Sequence, residues 1–322
     1  MRPRVAVDVA RALPCPDPGR HTHFLVKALI TGSSGRIGRA IYNAVAANHE
    51  VIGFDRSPFS CSSLIGDFTD ARLLQQALQG VDVVFHTASY HAPHVGLVSD
   101  REFERVNVAG VQQLLEAAQQ AGVKQVIYTS TTALYGDAVA EQGCTWIDES
   151  VTPQPKTVYH RTKLAAEQIL ADWSGGELTR SVIRMSRCFP QPADQMSVLR
   201  LHRGIDVRDV ADAHVAALAL PAGSFSRFVV SGSTPFQRED LEQLGRDAGE
   251  VLRLRCPALV AEHERRGWPL PSVIDRVYDN AAIRQALGWE PAFGFDEVLA
   301  QVDRRSLEVL PYTRDFVDRT VD

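Results

Sequence analysis

The sequence predicts an α/β fold: a doubly wound parallel sheet with a smaller C-terminal lobe. Three observations carry that prediction. Strand-like apolar runs alternate with helically spaced segments from Phe24 to Arg184. A glycine-rich turn separates the first strand from the first helix. Beyond Arg184, prolines such as Pro190, Pro221, Pro257 and Pro269 break the pattern into shorter pieces.

The elements follow in order. Phe24–Thr31 is a short apolar run ending in Gly32 and reads as a buried strand. Arg36–Asn48 has helical spacing through Ile37, Ile41 and Val45. Val51–Phe54 is strand-like, Ala71–Leu78 helical and Val81–Phe85 a strand again. Ser99 with Glu102 forms a capping box. The helix it starts carries Phe103, Val106, Val111, Leu114, Leu115 and Ala118 on one face, and Gly122 closes it. Lys124–Thr129 is a strand, Tyr159–Trp173 a helix and Leu178–Arg184 a further strand.

Composition narrows the function classes. The chain has 322 residues, 45% of them hydrophobic, enough for a proper core. Its net charge of −5 gives no global attraction to nucleic acid or anionic membrane. No apolar run reaches the ~18–20 residues that span a bilayer. Cys15, Cys61, Cys144, Cys188 and Cys256 are dispersed, which predicts reduced thiols in a cytoplasmic protein. His86, His91 and His94 cluster, but no carboxylate or cysteine joins them at ligand spacing, so no metal site is expected. Met1–His23 lacks the apolar core of a secretory signal. The expectation there is a disordered extension or a start assigned too early.

The turn Thr31–Gly38 reads TGSSGRIG. A pyrophosphate needs close backbone approach and free N–H groups at a helix N-terminus, and glycines permit both. Asp55 ends the second strand roughly 20 residues after Gly32, where a carboxylate can accept from a ribose diol and repel a 2′-phosphate. NAD is therefore expected, with NADP kept as the alternative because Arg56 and Arg36 stand nearby. The predicted organisation is a dinucleotide-binding Rossmann domain over 24–185 and a substrate lobe over 186–322. Residues 206–231 are expected to return to the sheet.

Tyr159 and Lys163 lie at i and i+4 and share a helix face. A nearby ammonium favours phenolate, so Tyr159 is expected to have a lowered pKa and to act as acid or base at a hydroxyl-bearing carbon. Thr131 and Thr132, at the end of a central strand, could hold the substrate oxygen. Asn107 lies on an apolar helix stripe, which leaves open a structural bond or a cofactor role.

The set resembles the extended short-chain dehydrogenase/reductases, the NAD-dependent epimerase/dehydratase family, from about Leu25 to Leu299. The matching pieces include TGSSGRIG, FHTAS, VNVAG, YTSTTALYG, YHRTK, IDVRDVA and ALGWEP. The resemblance implies that Gly32, Ser34, Gly35, Arg36, Ile37 and Gly38 surround the pyrophosphate. It places Asp55 and Arg56 at the adenosine ribose and Asp67 and Phe68 at the adenine, with Thr87 and Ala88 beyond the fourth strand. Thr131, Tyr159 and Lys163 become the catalytic set. It also implies a homodimer through the helices Val106–Ala118 and Tyr159–Leu170, a face that periodicity does not separate from core.

Dehydratases of this family carry Thr-Asp-Glu where this chain has Thr131-Thr132-Ala133, which argues against dehydration. The stretch Arg184–Asp206 is shorter than in sugar-nucleotide members, which favours a small, sugar-derived substrate. Its start resembles uronate dehydrogenases, but Arg187 replaces their substrate-facing serine. Arg187, Arg200 and Arg203 are candidates to take over a carboxylate, and His91 and Thr132 are further candidates for substrate contact. The expectation is hydride transfer at a hydroxyl or carbonyl carbon. A sugar-nucleotide 4-epimerase is the runner-up, and a non-catalytic dinucleotide sensor the third reading.

Overall fold

The structure is a computed structural model and describes residues 25–139 and 143–312. The segment 1–23 singled out above lies outside the described residues. Seven parallel strands form the main sheet: β1 (Lys27–Thr31), β2 (Glu50–Asp55), β3 (Leu64–Ile65), β4 (Val83–His86), β5 (Gln125–Thr131), β7 (Thr179–Met185) and β8 (Phe225–Val230). Their order is β3-β2-β1-β4-β5-β7-β8. Three-residue strands β6 (Thr145–Ile147) and β9 (Arg276–Tyr278) pair separately in parallel.

Strand alternation distributes the core. Ala28 and Ile30 of β1 join one buried cluster with Phe85, Ile127 and Ile183, whereas Leu29 joins another with Val84, Val126 and Val182. α2 (Ala71–Ala77), α3 (Asp100–Glu104), α4 (Gly110–Gln120) and α5 (Val158–Asp172) cover the Leu29 face. α1 (Arg36–Val45) packs with α7 (Val207–Ala216) on the other. The lobe adds α6 (Ala193–Leu199), α8 (Leu241–Leu244), α9 (Ala248–Arg255), α10 (Pro257–Arg266), α11 (Ala281–Leu287) and α12 (Phe295–Asp303). Leu244, Leu252, Leu259 and Val277 form its own core.

Two details depart from the sequence reading. The helix expected after Ser99 is interrupted by a π-helical turn over Arg105–Ala109. Ser99 accepts from the Glu102 N–H, but Glu102 binds Arg105 instead of closing the capping box. The pairing of β6 with β9 was not expected, because strands this short carry no alternation to read.

Three buried imidazoles make stability depend on pH. Burial pushes His86 and His202 down to about 3 and His214 down to about 4. His214 is held between Val210 O at 2.7 Å and Thr129 Oγ1 at 2.8 Å. Each imidazole stays neutral in the fold and binds a proton on unfolding once the pH falls below ~6.5. Stability is thus full above that pH and falls toward pH 3, by ~1.4 kcal/mol per unit for each imidazole. Asp209, pushed up to about 6 by burial, acts in the opposite direction. The expected net loss from pH 7 to 5.5 is about 3 kcal/mol, read from denaturant midpoints at the two pH values. Equal midpoints would contradict it.

Candidate active site

Strand order reverses between β1 and β4, and in doubly wound sheets ligands bind beyond the strand ends at that point. A cavity of about 670 Å³ lies there. Apart from Asn107, every candidate in the cofactor, catalytic and substrate sets named above, together with Arg203, lines it; Arg200 does not.

Gly32 follows β1 at φ +75°, and a Cβ there would stand 2.6 Å from Thr87 Oγ1. A Cβ on Gly38 would meet Gly32 O at 2.1 Å, so α1 can press against the turn only with glycine there. Gly35 caps α1 without a side-chain hydrogen bond. The first-turn N–H groups therefore meet the cavity wall without a side-chain acceptor, at the positive end of the helix dipole. A pyrophosphate fits that cradle.

At the end of β2, Asp55 accepts from Ser34 N at 3.0 Å and from Ser57 N at 2.8 Å. These bonds orient the carboxylate and leave lone pairs for a ribose diol. Arg56 donates to Tyr90 Oη at 2.9 Å and lies over the Tyr90 ring. Burial raises the Asp67 carboxyl, but hydrogen bonds from Thr69 and Arg105 outweigh it and hold the group below its ordinary range. Arg36 donates to Cys188 O at 3.0 Å and pairs with Glu308. It thus ties the glycine turn to the C-terminal segment, a tie that residue spacing did not suggest.

Tyr159 stands in the first turn of α5, whose N-cap Thr157 accepts from His160 N. Thr131 ends β5, and its hydroxyl is hydrogen-bonded to Tyr159. The expected lowered tyrosine pKa is corrected. Burial pushes the phenol up to about 12, with only the Thr131 bond opposing it. Lys163 does not offset this because its ammonium turns elsewhere. It donates to Thr129 O at 2.5 Å and lies 4.1 Å from the centre of the Tyr128 ring. Burial lowers Lys163 to about 7, against the pull of Glu167 one turn along.

Asn107 does not reach the cavity lining. Its amide accepts from Tyr90 N and donates to Tyr90 O and Thr162 Oγ1, pinning the π turn to the wall loop and to α5. Thr132 is buried, and its carbonyl accepts from Tyr278 Oη at 3.3 Å. His91 lies at the rim, its imidazole kept below the ordinary range mainly by burial. Sequence reasoning missed Tyr90, Arg276 and Tyr278 as lining residues. No motif marks them.

The sequence profile described as "NAD dependent epimerase/dehydratase family" matches residues 28–189. The chain is 29% identical to the 3 beta-hydroxysteroid dehydrogenase/Delta 5-->4-isomerase of Mycobacterium tuberculosis, over 90% of this chain and 91% of that one. It is 27% identical to the 3-beta-hydroxysteroid dehydrogenase of Mycolicibacterium neoaurum, over 95% and 96%. A solved short-chain dehydrogenase/reductase superfamily protein from Agrobacterium tumefaciens with bound NAD shares the fold. Its TM-score is 0.64 at 22% identity, over 87% of this chain and 97% of that one.

Proposed function

The chain belongs to the NAD dependent epimerase/dehydratase family, and from that premise we propose that it interconverts an alcohol and its carbonyl form at a ring carbon of a small cyclic substrate. The observation that carries this reading is the Thr131–Tyr159 hydroxyl pair at the end of β5, beside a cradle for the dinucleotide. Bound NAD supplies the hydride acceptor. Gly32, Gly35 and the first turn of α1 bind its pyrophosphate, and Asp55 its adenosine ribose. Thr131 Oγ1 orients the substrate oxygen. Tyr159 Oη moves the proton: the neutral phenol donates it to the oxygen of a carbonyl being reduced, and the phenolate removes it from an alcohol being oxidised.

A phenol raised to about 12 holds its proton at neutral pH. Oxidation is therefore expected to rise with pH between 7 and 10 as the phenolate fraction grows, whereas reduction is not. Initial rates in both directions check this, and a flat oxidation profile counts against Tyr159 as base.

The relatives matched end to end carry hydroxysteroid dehydrogenase names. That supports a small cyclic alcohol over a nucleotide-linked sugar. The test is a screen of 3β-hydroxysteroids, uronates, free sugars and sugar nucleotides with NAD. Net NADH is expected with an alcohol of the first three classes. Epimerisation of a sugar nucleotide without net NADH would overturn the reading.

Two finer points belong to the same proposal. The four described cysteines are free and buried, which suits a reducing cytoplasm. Two copies pair through the α4–α5 face, where Val108, Ala165, Ile169 and Trp173 line a groove. Light scattering is expected to give twice the 35.4 kDa chain mass; a single-chain mass refutes the pairing.

A further inference from the structure

The end of the cavity formed by the C-terminal lobe carries three guanidinium groups from separate chain segments: Arg187, Arg203 and Arg276. The backbone brings them together. Arg187 N donates to Arg203 O at 3.1 Å. His202 Nδ1 bonds Arg276 O at 2.9 Å, and Tyr278 N donates to His202 O at 2.8 Å.

Their counter-charge is incomplete. Asp275 meets Arg276 at 2.8 Å and Arg203 at 3.5 Å. Among the described residues no carboxylate pairs with Arg187, and the buried Nε of Arg203 has no hydrogen-bond partner. Arg208 differs, binding Asp206 and Glu297, and Arg200 is buried against Asp206 with its own Nε and Nη1 also unpartnered; neither lines the cavity. Three positive groups thus face the cavity against one carboxylate. Arg276 Nε and Nη2 both donate to Asp275, so the unmet donors are those of Arg187 and the Nε of Arg203. Donors left without acceptors in a partly desolvated pocket are costly, and an oxyanion with paired acceptor oxygens satisfies them.

We propose that the substrate carries an anionic group, a carboxylate or a phosphoryl group, seated among Arg187, Arg203 and Arg276 while its hydroxyl meets Thr131 and Tyr159. This rests on the alcohol dehydrogenase reading and names the chemistry of the far end of its substrate. Arg276 reaches the cavity from β9, so the far C-terminal part of the chain contributes to selecting the substrate.

Two arms test it. In the first, matched pairs differing only in charge are compared by NADH formation: 3β-hydroxy-5-cholenoic acid with its methyl ester, galacturonate with its methyl ester, and glucose 6-phosphate with glucose. The charged member of the accepted pair is expected to lead in kcat/KM by ~10- to 100-fold, the worth of a charge-assisted hydrogen bond. Arg276→Met or the exposed Arg187→Met should raise KM for that member and remove most of the preference. Which pair responds separates carboxylate from phosphoryl. An ester oxidised as well as its acid overturns the inference while the dehydrogenase reading stands. The second arm needs no turnover. Succinate and inorganic phosphate are titrated calorimetrically into NAD-saturated protein. Binding of one of them, lost in Arg276→Met and weakened in Arg187→Met, supports the site even if no alcohol in the set is oxidised. Binding of neither overturns it.

Discussion

Tyr159→Phe is expected to lower turnover by ~10²- to 10⁴-fold, the usual worth of a positioned acid–base group, while leaving NAD binding and the fold in place. The ring of Tyr159 packs against the cluster that contains Leu114, Tyr128 and Val158, and Phe keeps that contact. Only the hydroxyl is removed, and with it the bond to Thr131. The cradle around Gly32 and the carboxylate of Asp55 lie on other elements and are untouched. Stopped-flow turnover with a substrate from the screen, beside calorimetric NAD affinity, separates the two effects. Full turnover in the variant would remove Tyr159 from the mechanism. A parallel loss of NAD binding would instead give it a structural part. Thr131→Val should cost less, because it removes the orienting hydroxyl but leaves the proton donor in place.

How far the site could be read without coordinates depends on where its chemistry sits along the chain. TGSSGRIG, Asp55 and the Tyr159–Lys163 pair are local features next to strand ends. Their spacing alone specifies a turn, a strand terminus and a helix face, and the structure brings them to one cavity. The direction of the Lys163 ammonium was not legible. The i,i+4 spacing places it on the same face as Tyr159, but the buried carbonyl of Thr129 and the face of Tyr128 lie deeper and take it. Arg276 and Tyr278 were missed for a different reason. They reach the cavity only because β9 pairs with β6, more than a hundred residues earlier in the sequence. Asn107 was read as a buried amide in need of partners. The partners, Tyr90 and Thr162, come from a loop and a helix that no periodicity relates to it.

Beneath the reacting groups, Arg184→Leu is expected to destabilise the fold by ~3–5 kcal/mol, because it strips a fully buried carboxylate of its main partner. Glu167 is 0% exposed and Arg184 1%. The guanidinium donates from Nε to both Glu167 oxygens at 3.1 and 3.0 Å and from Nη2 at 2.6 Å. Its Nη1 donates to Tyr135 Oη at 2.9 Å. Ser130 Oγ adds a bond to Glu167 at 2.5 Å, and Arg227 adds a more exposed charge at 3.1 Å. With Arg184 gone, Ser130 and Arg227 are left to compensate the carboxylate. Thermal denaturation should show a fall of about 10 °C; an unchanged midpoint would mean that the pair contributes little. Arg184→Leu combined with Glu167→Leu should recover most of the loss, because a buried pair exchanged for apolar groups is often near neutral. Recovery of stability is not expected to restore turnover. Ser130 directly precedes Thr131, and Glu167 lies one helical turn from Lys163, whose ammonium it favours. The same carboxylate that binds β5, α5 and β7 together therefore also favours the charged form of Lys163 at the cavity wall. In the double variant that support is absent even where the fold is sound, so a restored melting point with a depressed kcat is the signature that distinguishes the two roles of Glu167.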